Sequence, residues 1–352
     1  MTARAALIGQ EAPADFHPLT LFGFDALVAG AARHRPGALI FRDAQAEAVD
    51  ELTYADLYSR VGACVAQLRE LGLSRGETIL VCAPPGAQGF ALLTAALAEG
   101  LEPVLAPMPL PLARGAIARA AKDLSVSAVF APARFCGLDF EAALLDLAAQ
   151  APSIRLMGTL GGQLDGAVDF SGAALSSRRD ARLRLTDEWS VDDFPRIGAL
   201  GPSGEVRPAR QGELIGAALD LVRRMRLTRD TPILSLCAPS GPAALVGGPL
   251  AALLGGAPLH SLAPFSSARF LATLDALGAA RLVAPAAVLS DLAHAGLLTN
   301  GALVGVVAIG DVVAAIPEAA CPVLSLRDDG GSVIVEAASH AAAHIGARVA
   351  AE

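Results

Sequence analysis

Short apolar segments alternate with stretches of helical period through most of the chain. The clearest run has strands at 78–83, 103–106 and 128–132, with helices at 88–98 and 112–124 between them. Both faces of these strands are apolar, which is typical of a buried parallel sheet. Parallel strands separated by helices need crossover connections, which are nearly always right-handed. The alternation therefore predicts an α/β protein built from βαβ units.

The alternation occurs twice along the chain. It breaks at 158–193, a segment rich in Gly, Asp and Arg, and a second series of strands and helices then runs to residue 326. This pattern predicts two stacked, doubly wound α/β subdomains. We expect an N-terminal arm at 1–20, a first subdomain at 21–230 and a second subdomain at 231–352.

One predicted helix carries signals for both of its ends. Thr53 precedes Asp56 by three residues, which is the spacing of a capping box at a helix start. Apolar residues then follow at helical period, and Gly72 is placed to end the helix.

The balance of charge argues against nucleic acid as a partner. The 352 residues include 35 acidic and 27 basic side chains, for a net charge of −8, whereas nucleic-acid binding needs a basic face. Four arginines cluster at one predicted helix end, namely Arg223, Arg224, Arg226 and Arg229. Cations favour the carbonyl end of a helix, so we interpret this cluster as a solvated helix end rather than a phosphate site.

Residues 231–268 carry no charged side chain, so a membrane span has to be considered. Prolines divide this stretch at positions 232, 239, 242, 249, 258 and 264. The pieces between them are shorter than the roughly 20 residues that a span requires. We therefore predict a buried strand–helix–strand unit and no membrane span.

The five cysteines are scattered and odd in number, and no pair has close metal-ligand spacing. Such cysteines are typical of small buried side chains in a reducing compartment. The apolar run at the N-terminus is too short for a signal peptide. Together these features predict a cytoplasmic protein.

Three ligand-type side chains are spaced by four residues near the C-terminus. Glu336, His340 and His344 would lie on one face if residues 335–345 formed a helix, and this set can bind zinc. The alternative is an alanine-rich tail with unrelated histidines, which we favour. The adjacent pairs Asp192–Asp193 and Asp328–Asp329 are predicted to be solvated turn residues, because neighbouring side chains usually point apart.

A glycine-containing turn, Gly201-Pro-Ser-Gly204, follows the predicted strand 194–200 and precedes a helical pattern. A turn from a strand end to a helix start can surround an anion with backbone N–H groups. We expect this turn to be a former nucleotide site. Ser203 is a poor candidate for a nucleophile, since the turn lacks the glycine spacing of a nucleophile elbow.

The chain from about 24 to 348 resembles the large N-terminal region of the adenylate-forming superfamily, which includes acyl-CoA synthetases, luciferases and peptide-synthetase adenylation domains. The segments that carry the resemblance are 51–58, 71–80, 233–239 and 248–257. The resemblance implies a fold that binds ATP and a carboxylate and forms an acyl-adenylate. It also places Pro239, Gly241 and Gly248 in the wall of an acyl pocket.

The residues that the chemistry of this family needs are largely replaced. In the segment matching the phosphate loop, Gly201, Ser203 and Gly204 remain, and Arg207 stands where the family has lysine. Arginine can hold a phosphate but is not an equivalent point charge. The segment 325–330 lacks the aromatic residue and the threonine of the family's nucleotide motif. The family's C-terminal domain, with its catalytic lysine, is not found in the sequence, and Lys122 is the one lysine present.

These departures predict a truncated, degenerate relative of acyl-CoA synthetases that does not complete acyl activation. It would bind an acyl, nucleotide or CoA-like ligand, or act as a partner or regulatory protein. No cofactor is predicted on this interpretation. The alternative is an active acyl or aryl ligase, seen as a fragment or completed by a separate C-terminal-domain chain, with ATP and Mg²⁺ as cofactors.

Overall fold

The computed structural model of the protein describes residues 17–44, 49–108, 114–175, 190–201, 203–311, 319 and 321–337. The strands within these residues are, in chain order, β1 Leu39–Ala44, β2 Val49–Thr53, β3 Thr78–Val81, β4 Glu102–Leu105, β5 Ala128–Ala131, β6 Arg134–Phe135, β7 Leu138–Asp139, β8 Leu156–Thr159, β9 Val168–Asp169, β10 Ile197–Leu200, β11 Val206–Ala209, β12 Ile233–Ser235, β13 Leu259–Leu262, β14 Ala280–Pro285, β15 Leu303–Ile309, β16 Val323–Asp329 and β17 Ser332–Ala337.

The α-helices of the same residues are α1 Phe24–His34, α2 Tyr54–Glu70, α3 Ala87–Ala98, α4 Arg114–Asp123, α5 Glu141–Gln150, α6 Gly172–Leu175, α7 Gln211–Met225, α8 Pro242–Leu245, α9 Ala251–Gly255, α10 Ser267–Leu277 and α11 Ala286–His294. A π-helical turn, Val246–Leu250, joins α8 to α9. The predicted capping box of α2 is confirmed, because the side chains of Thr53 and Asp56 each accept a hydrogen bond from the other's backbone N–H.

The longer strands of the described residues form two large sheets. The first sheet has the order β11-β10-β4-β3-β5-β8-β9 and is parallel except at β11. The second sheet has the order β17-β16-β15-β14-β12-β13-β1-β2 and is parallel except at its two edge strands. The predicted strand–helix alternation and the parallel sheets are thus confirmed.

Apolar packing arranges these elements in layers. The largest buried cluster lies between the two sheets and includes residues of α1, α2, α3, α7, α8 and α9. A second cluster packs α4 and α5 against the outer face of the first sheet. A third packs α10 and α11 against the outer face of the second sheet. The fold is therefore the predicted one, two stacked, doubly wound α/β halves with helices between and outside the sheets.

The N-terminal hairpin of β1 and β2 belongs to the second sheet. β1 and β2 precede the first sheet in the chain, yet β1 lies parallel to β13 in the second sheet, with Phe41 opposite Leu259. Asp43 of β1 accepts a hydrogen bond of 2.8 Å from the backbone N–H of Ala87, at the start of α3. Gly86, with a φ of +127°, has no room for a Cβ beside that carboxylate. The N-terminal hairpin therefore ties both sheets together.

Within the part of the chain that the structure describes, every helix is too short or too polar to span a bilayer. The charge-free stretch instead forms β12, the helix from α8 to α9, and β13, as the spacing of its prolines predicted.

Candidate functional site

The turn predicted as the phosphate loop joins two antiparallel strands. β10 pairs with β11, and the turn closes through hydrogen bonds from Gly201 N–H to the Glu205 carbonyl, 2.8 Å, and from Gly204 N–H to the Gly201 carbonyl, 3.0 Å. The predicted direct step from strand to helix is wrong, because α7 begins only at Gln211, after β11. β11 was missed because it is a four-residue edge strand that contains Pro208. Pro202 lies outside the described residues.

The donors of this turn point to a carboxylate of the chain itself. Glu205 accepts hydrogen bonds from the backbone N–H of Ser203, at 3.2 Å, and from the Ser203 hydroxyl. Its other oxygen accepts from the Arg207 guanidinium at 3.0 Å. The Ser203 hydrogen bond is the main reason that the pKa of Glu205 lies below its usual value. Glu205 therefore accepts the hydrogen bonds that we expected this turn to donate to a phosphate.

At the N-terminus of α7, the Gln211 side chain makes hydrogen bonds to two other segments of the chain. The Gln211 side chain accepts a hydrogen bond of 3.0 Å from the Phe24 N–H, at the start of α1. It also donates one of 3.0 Å to the Pro195 carbonyl. Gln211 is buried, so these contacts join α7 to α1 and to the segment before β10.

Asp328 lies near the end of β16, and its side chain caps the N-terminus of α8. Its carboxylate accepts a hydrogen bond of 2.7 Å from the Ala243 N–H, in the first turn of α8. A Cβ on Gly241 would lie 3.0 Å from the other carboxylate oxygen. Burial of the carboxyl group against α8 raises the pKa of Asp328, while the Ala243 hydrogen bond and the charge of Arg207 lower it.

The hairpin turn between β16 and β17 brings Asp328 to the loop. Gly331, with a φ of +107°, has no room for a Cβ because the carbonyl of Pro208 on β11 occupies that position. Asp328 and Asp329 are both exposed, as predicted for turn residues, but the Asp328 carboxylate also caps α8. The structure thus brings Asp328 next to Gly241 and near enough to Arg207 for that charge to act on it.

The predicted wall residues Pro239, Gly241 and Gly248 are all buried. The π-helical turn that contains Gly248 is a feature often found at functional sites. A Cβ on Gly247 would lie 2.9 Å from the Cδ1 atoms of Ile309 and Leu326, whereas a Cβ on Gly248 would have no atom within 4 Å. Gly248 therefore faces unfilled space inside the fold.

A cavity of about 570 Å³ lies where the carboxyl ends of the first sheet's strands approach the second half. Pro84 after β3, Pro132 after β5 and Leu160 after β8 line it, with Ala263–Pro264 of the segment after β13 on the other side. The strand order reverses between β3 and β5, and open α/β sheets bind ligands at such points. This cavity was not predicted from the sequence. The prolines and glycines that follow the strand ends were the available signal.

The predicted zinc set is not supported where it can be assessed. Glu336 lies on β17, not on a helix, and its carboxylate is 3.9 Å from the Arg327 guanidinium. A strand presents successive side chains on opposite faces, so the helical spacing does not apply there. His340 and His344 lie outside the described residues. Among the residues that are described, no group of three His, Cys, Asp or Glu could hold a metal ion.

The arginine cluster at the end of α7 is exposed, as predicted. Arg223 and Arg224 both pair with Asp220, at 2.6 and 2.7 Å. Arg226 adopts a left-handed conformation at the C-cap, and its carbonyl accepts a hydrogen bond of 2.9 Å from the buried Arg281.

Comparison with known proteins gives one family. A family model described as AMP-binding enzyme matches residues 28–178. A Streptomyces salicylyl-CoA synthase / salicylate adenylyltransferase is 32% identical over 112 residues, which are 32% of this chain and 20% of that protein.

Solved structures of similar fold cover nearly the whole chain. Apo MbtA of Mycobacterium smegmatis superposes with a TM-score of 0.72 at 20% identity, over 89% of this chain and 58% of that one. The ATP-bound RpMatB-BxBclM chimera gives a TM-score of 0.69 at 17% identity, over 87% and 60%. The chain thus spans about three fifths of the length of these two structures. Residues 28–178 thus match the family of AMP-binding enzymes, and the chain has the fold of these two solved structures.

Proposed function

We propose that this protein is a truncated, degenerate member of its family that binds a ligand or a partner without completing acyl activation. The observation that carries the proposal is the position of Asp328. Its carboxylate lies at the start of α8, beside Gly241, which the resemblance places in the wall of the acyl pocket.

Adenylate formation brings together two anions, a substrate carboxylate and the α-phosphate of ATP. Positive groups aimed at the developing charge supply much of such catalysis. Arg207 stands where the family has lysine, but it is paired with Glu205 at 3.0 Å. Lys122, the one lysine in the sequence, is exposed on α4, on the outer face of the first sheet.

The charge of Asp328 opposes the same step. Two unit negative charges 4 Å apart repel by about 4 kcal/mol at the dielectric typical of a protein surface. A substrate carboxylate entering beside Gly241 would meet this repulsion, and Arg207 is the nearby cation that acts on Asp328. The local charge therefore disfavours a carboxylate substrate and supports a role other than acyl activation.

A ligand-binding role is supported by the space within the fold. The cavity at the strand ends has a volume of about 570 Å³, within the range of small-molecule sites, and Gly248 faces further space in the acyl-pocket wall. We propose an acyl, nucleotide or CoA-like compound as the ligand. We propose the cytoplasm as the compartment, which is consistent with five free cysteines.

Exchange of labelled pyrophosphate into ATP tests the proposal directly. Purified protein would be incubated with Mg²⁺, ATP and a panel of aliphatic, aromatic and amino-acid carboxylates. We expect no exchange above a blank without enzyme, with an active acyl-CoA synthetase as the positive control. Exchange that depends on one carboxylate would overturn the proposal.

The alternative is an active ligase, seen as a fragment or completed by a separate chain. The activities of similar proteins support it. The Streptomyces relative is described as a salicylate adenylyltransferase, and the chimera was solved with ATP. This function would need ATP and Mg²⁺. Exchange by the chain alone, or exchange that appears when a separate C-terminal-domain chain is added, would establish it.

A further inference from the structure

We propose that the Glu205 carboxylate is an internal anion that occupies the phosphate loop and excludes external oxyanions from it. The inference deepens the proposed function, on which it rests in treating Gly201, Ser203, Gly204 and Arg207 as the remains of a phosphate site. On this inference, the Glu205 side chain decides whether an external anion can enter the loop.

The geometry of the loop carries the inference. Anions bind to turns where backbone N–H groups, hydroxyls and a guanidinium converge. In this loop the Ser203 N–H, the Ser203 hydroxyl and the Arg207 guanidinium converge on the two oxygens of Glu205. A phosphate entering the loop would therefore have to displace this carboxylate first.

The occupying group is held by contacts that a phosphate would use. The hydrogen bond from Ser203, together with the charge of Arg207, keeps the pKa of Glu205 below its usual value, so the side chain is charged near neutral pH. The Glu205 carboxylate fills the space beside Gly201 that a Cβ at this position would need. A second anion at the same position would meet both the occupied space and the like charge.

The remainder of the loop is braced independently of Glu205. The Arg119 guanidinium on α4 donates a hydrogen bond of 3.3 Å to the Ser203 carbonyl. A Cβ on Gly204, which has a φ of +93°, would lie 3.0 Å from the Ala116 carbonyl, so the loop backbone rests on α4. The donors should therefore keep their positions when the Glu205 side chain is changed.

Titration calorimetry with inorganic pyrophosphate tests this inference on the full chain. We expect Glu205→Gln, which removes the charge, to lower the dissociation constant for pyrophosphate at least about tenfold, since each hydrogen bond to a charged group has an effect of that order. Glu205→Ala, which also vacates the space, should lower it further. Adding Arg207→Ala to either variant should abolish the gain.

A matched control is Glu51→Gln, because Glu51 also pairs with an arginine, Arg42, at 3.2 Å, but on β2. Its pyrophosphate affinity should equal that of the wild type. Melting curves would show that the variants fold, and Glu205→Ala replaces Glu205→Gln if the latter does not.

The inference is overturned if neither Glu205 variant binds pyrophosphate more tightly than the wild type, or if the gain survives the loss of Arg207. Its failure is distinct from failure of the proposed function. Carboxylate-dependent exchange by the wild type would refute the proposed function alone, whereas the calorimetric comparison concerns only the occupancy of the loop.

Discussion

The carboxylate of Asp328 accepts a hydrogen bond of 2.7 Å from the backbone N–H of Ala243, 85 residues earlier in the chain. One contact thus joins the end of β16 to the first turn of α8. An acidic side chain at a helix N-terminus satisfies a backbone donor that has no partner within the helix.

Replacing Asp328 should therefore destabilise the fold. We expect Asp328→Ala to lower the free energy of unfolding by about 0.5–2 kcal/mol, the usual cost of losing an N-terminal cap. Asp328→Asn keeps an acceptor oxygen for the Ala243 N–H, so its loss should be smaller. Urea denaturation at pH 7 measures both. Asp329→Ala is the control, and an equal loss there would contradict the assignment of the cap to Asp328.

Asp43 should make stability fall as the pH rises through the range from about 4 to 6. Burial is the main reason that the pKa of Asp43 is raised from 3.8 to about 6. The hydrogen bond from Ala87 lowers this pKa, the charge of Asp50 raises it and the charge of Arg60 lowers it. In this window the folded protein binds more protons than the unfolded chain, so ionisation costs stability, up to about 3 kcal/mol.

The variant Asp43→Asn lacks this cost. Its free energy of unfolding, relative to the wild type, should rise with pH between about 4 and 6 and then level off. Asp230→Asn, at an exposed aspartate, is the control for the same substitution away from β1. A flat difference for Asp43→Asn would show that Asp43 ionises normally in the fold.

His260 should have the opposite effect in an overlapping window. It is buried on β13, and burial, helped by the charge of Arg42, lowers its pKa from 6.5 to about 4. The unfolded chain then binds more protons than the fold, so the contribution of His260 to stability is lost as the pH falls from 6.5 to 4. The stability of His260→Leu relative to the wild type should therefore decrease with rising pH. An increase would mean that His260 is charged in the fold.

Two neighbouring glycines should respond oppositely to the same substitution. Gly248→Ala adds a methyl group to open space and removes the flexibility of a helical glycine, which stabilises by about 0.5–1 kcal/mol. Gly247→Ala places its methyl group 2.9 Å from the Cδ1 atoms of Ile309 and Leu326, and overpacking of this kind costs about 1–3 kcal/mol. Thermal unfolding of the two variants provides the test. Equal effects would show that the space beside Gly248 is filled.

The sequence was sufficient to predict the layers of the fold. Buried parallel strands such as β3 and β5 have apolar residues on both faces, and the helices between them keep their period, so both patterns are visible in the chain. The edge strands β11 and β17 were missed. Each is short and rich in polar or exposed residues, and its strand conformation depends on pairing with a neighbour rather than on its own pattern.

The candidate site was predicted only in part. The resemblance places an expected phosphate loop at 201–204 and an expected acyl-pocket wall at Gly248, and both assignments stay predictions. It gave no sign that Glu205 turns back into the loop, because that conformation depends on the hairpin between β10 and β11. The cap from Asp328 to Ala243 was equally hidden, since it needs β16 and α8 to be adjacent in space.

The pairing of β1 with β13 also affects how the chain must fold as it is made. Phe41 leaves the ribosome about 200 residues before Leu259, its partner across the strands, which corresponds to tens of seconds at a synthesis rate of roughly 5–20 residues per second. Until then the hairpin of β1 and β2 has an unpaired edge, and such edges are sites of aggregation. We expect the rest of the first half, or a chaperone, to shield this edge while translation continues.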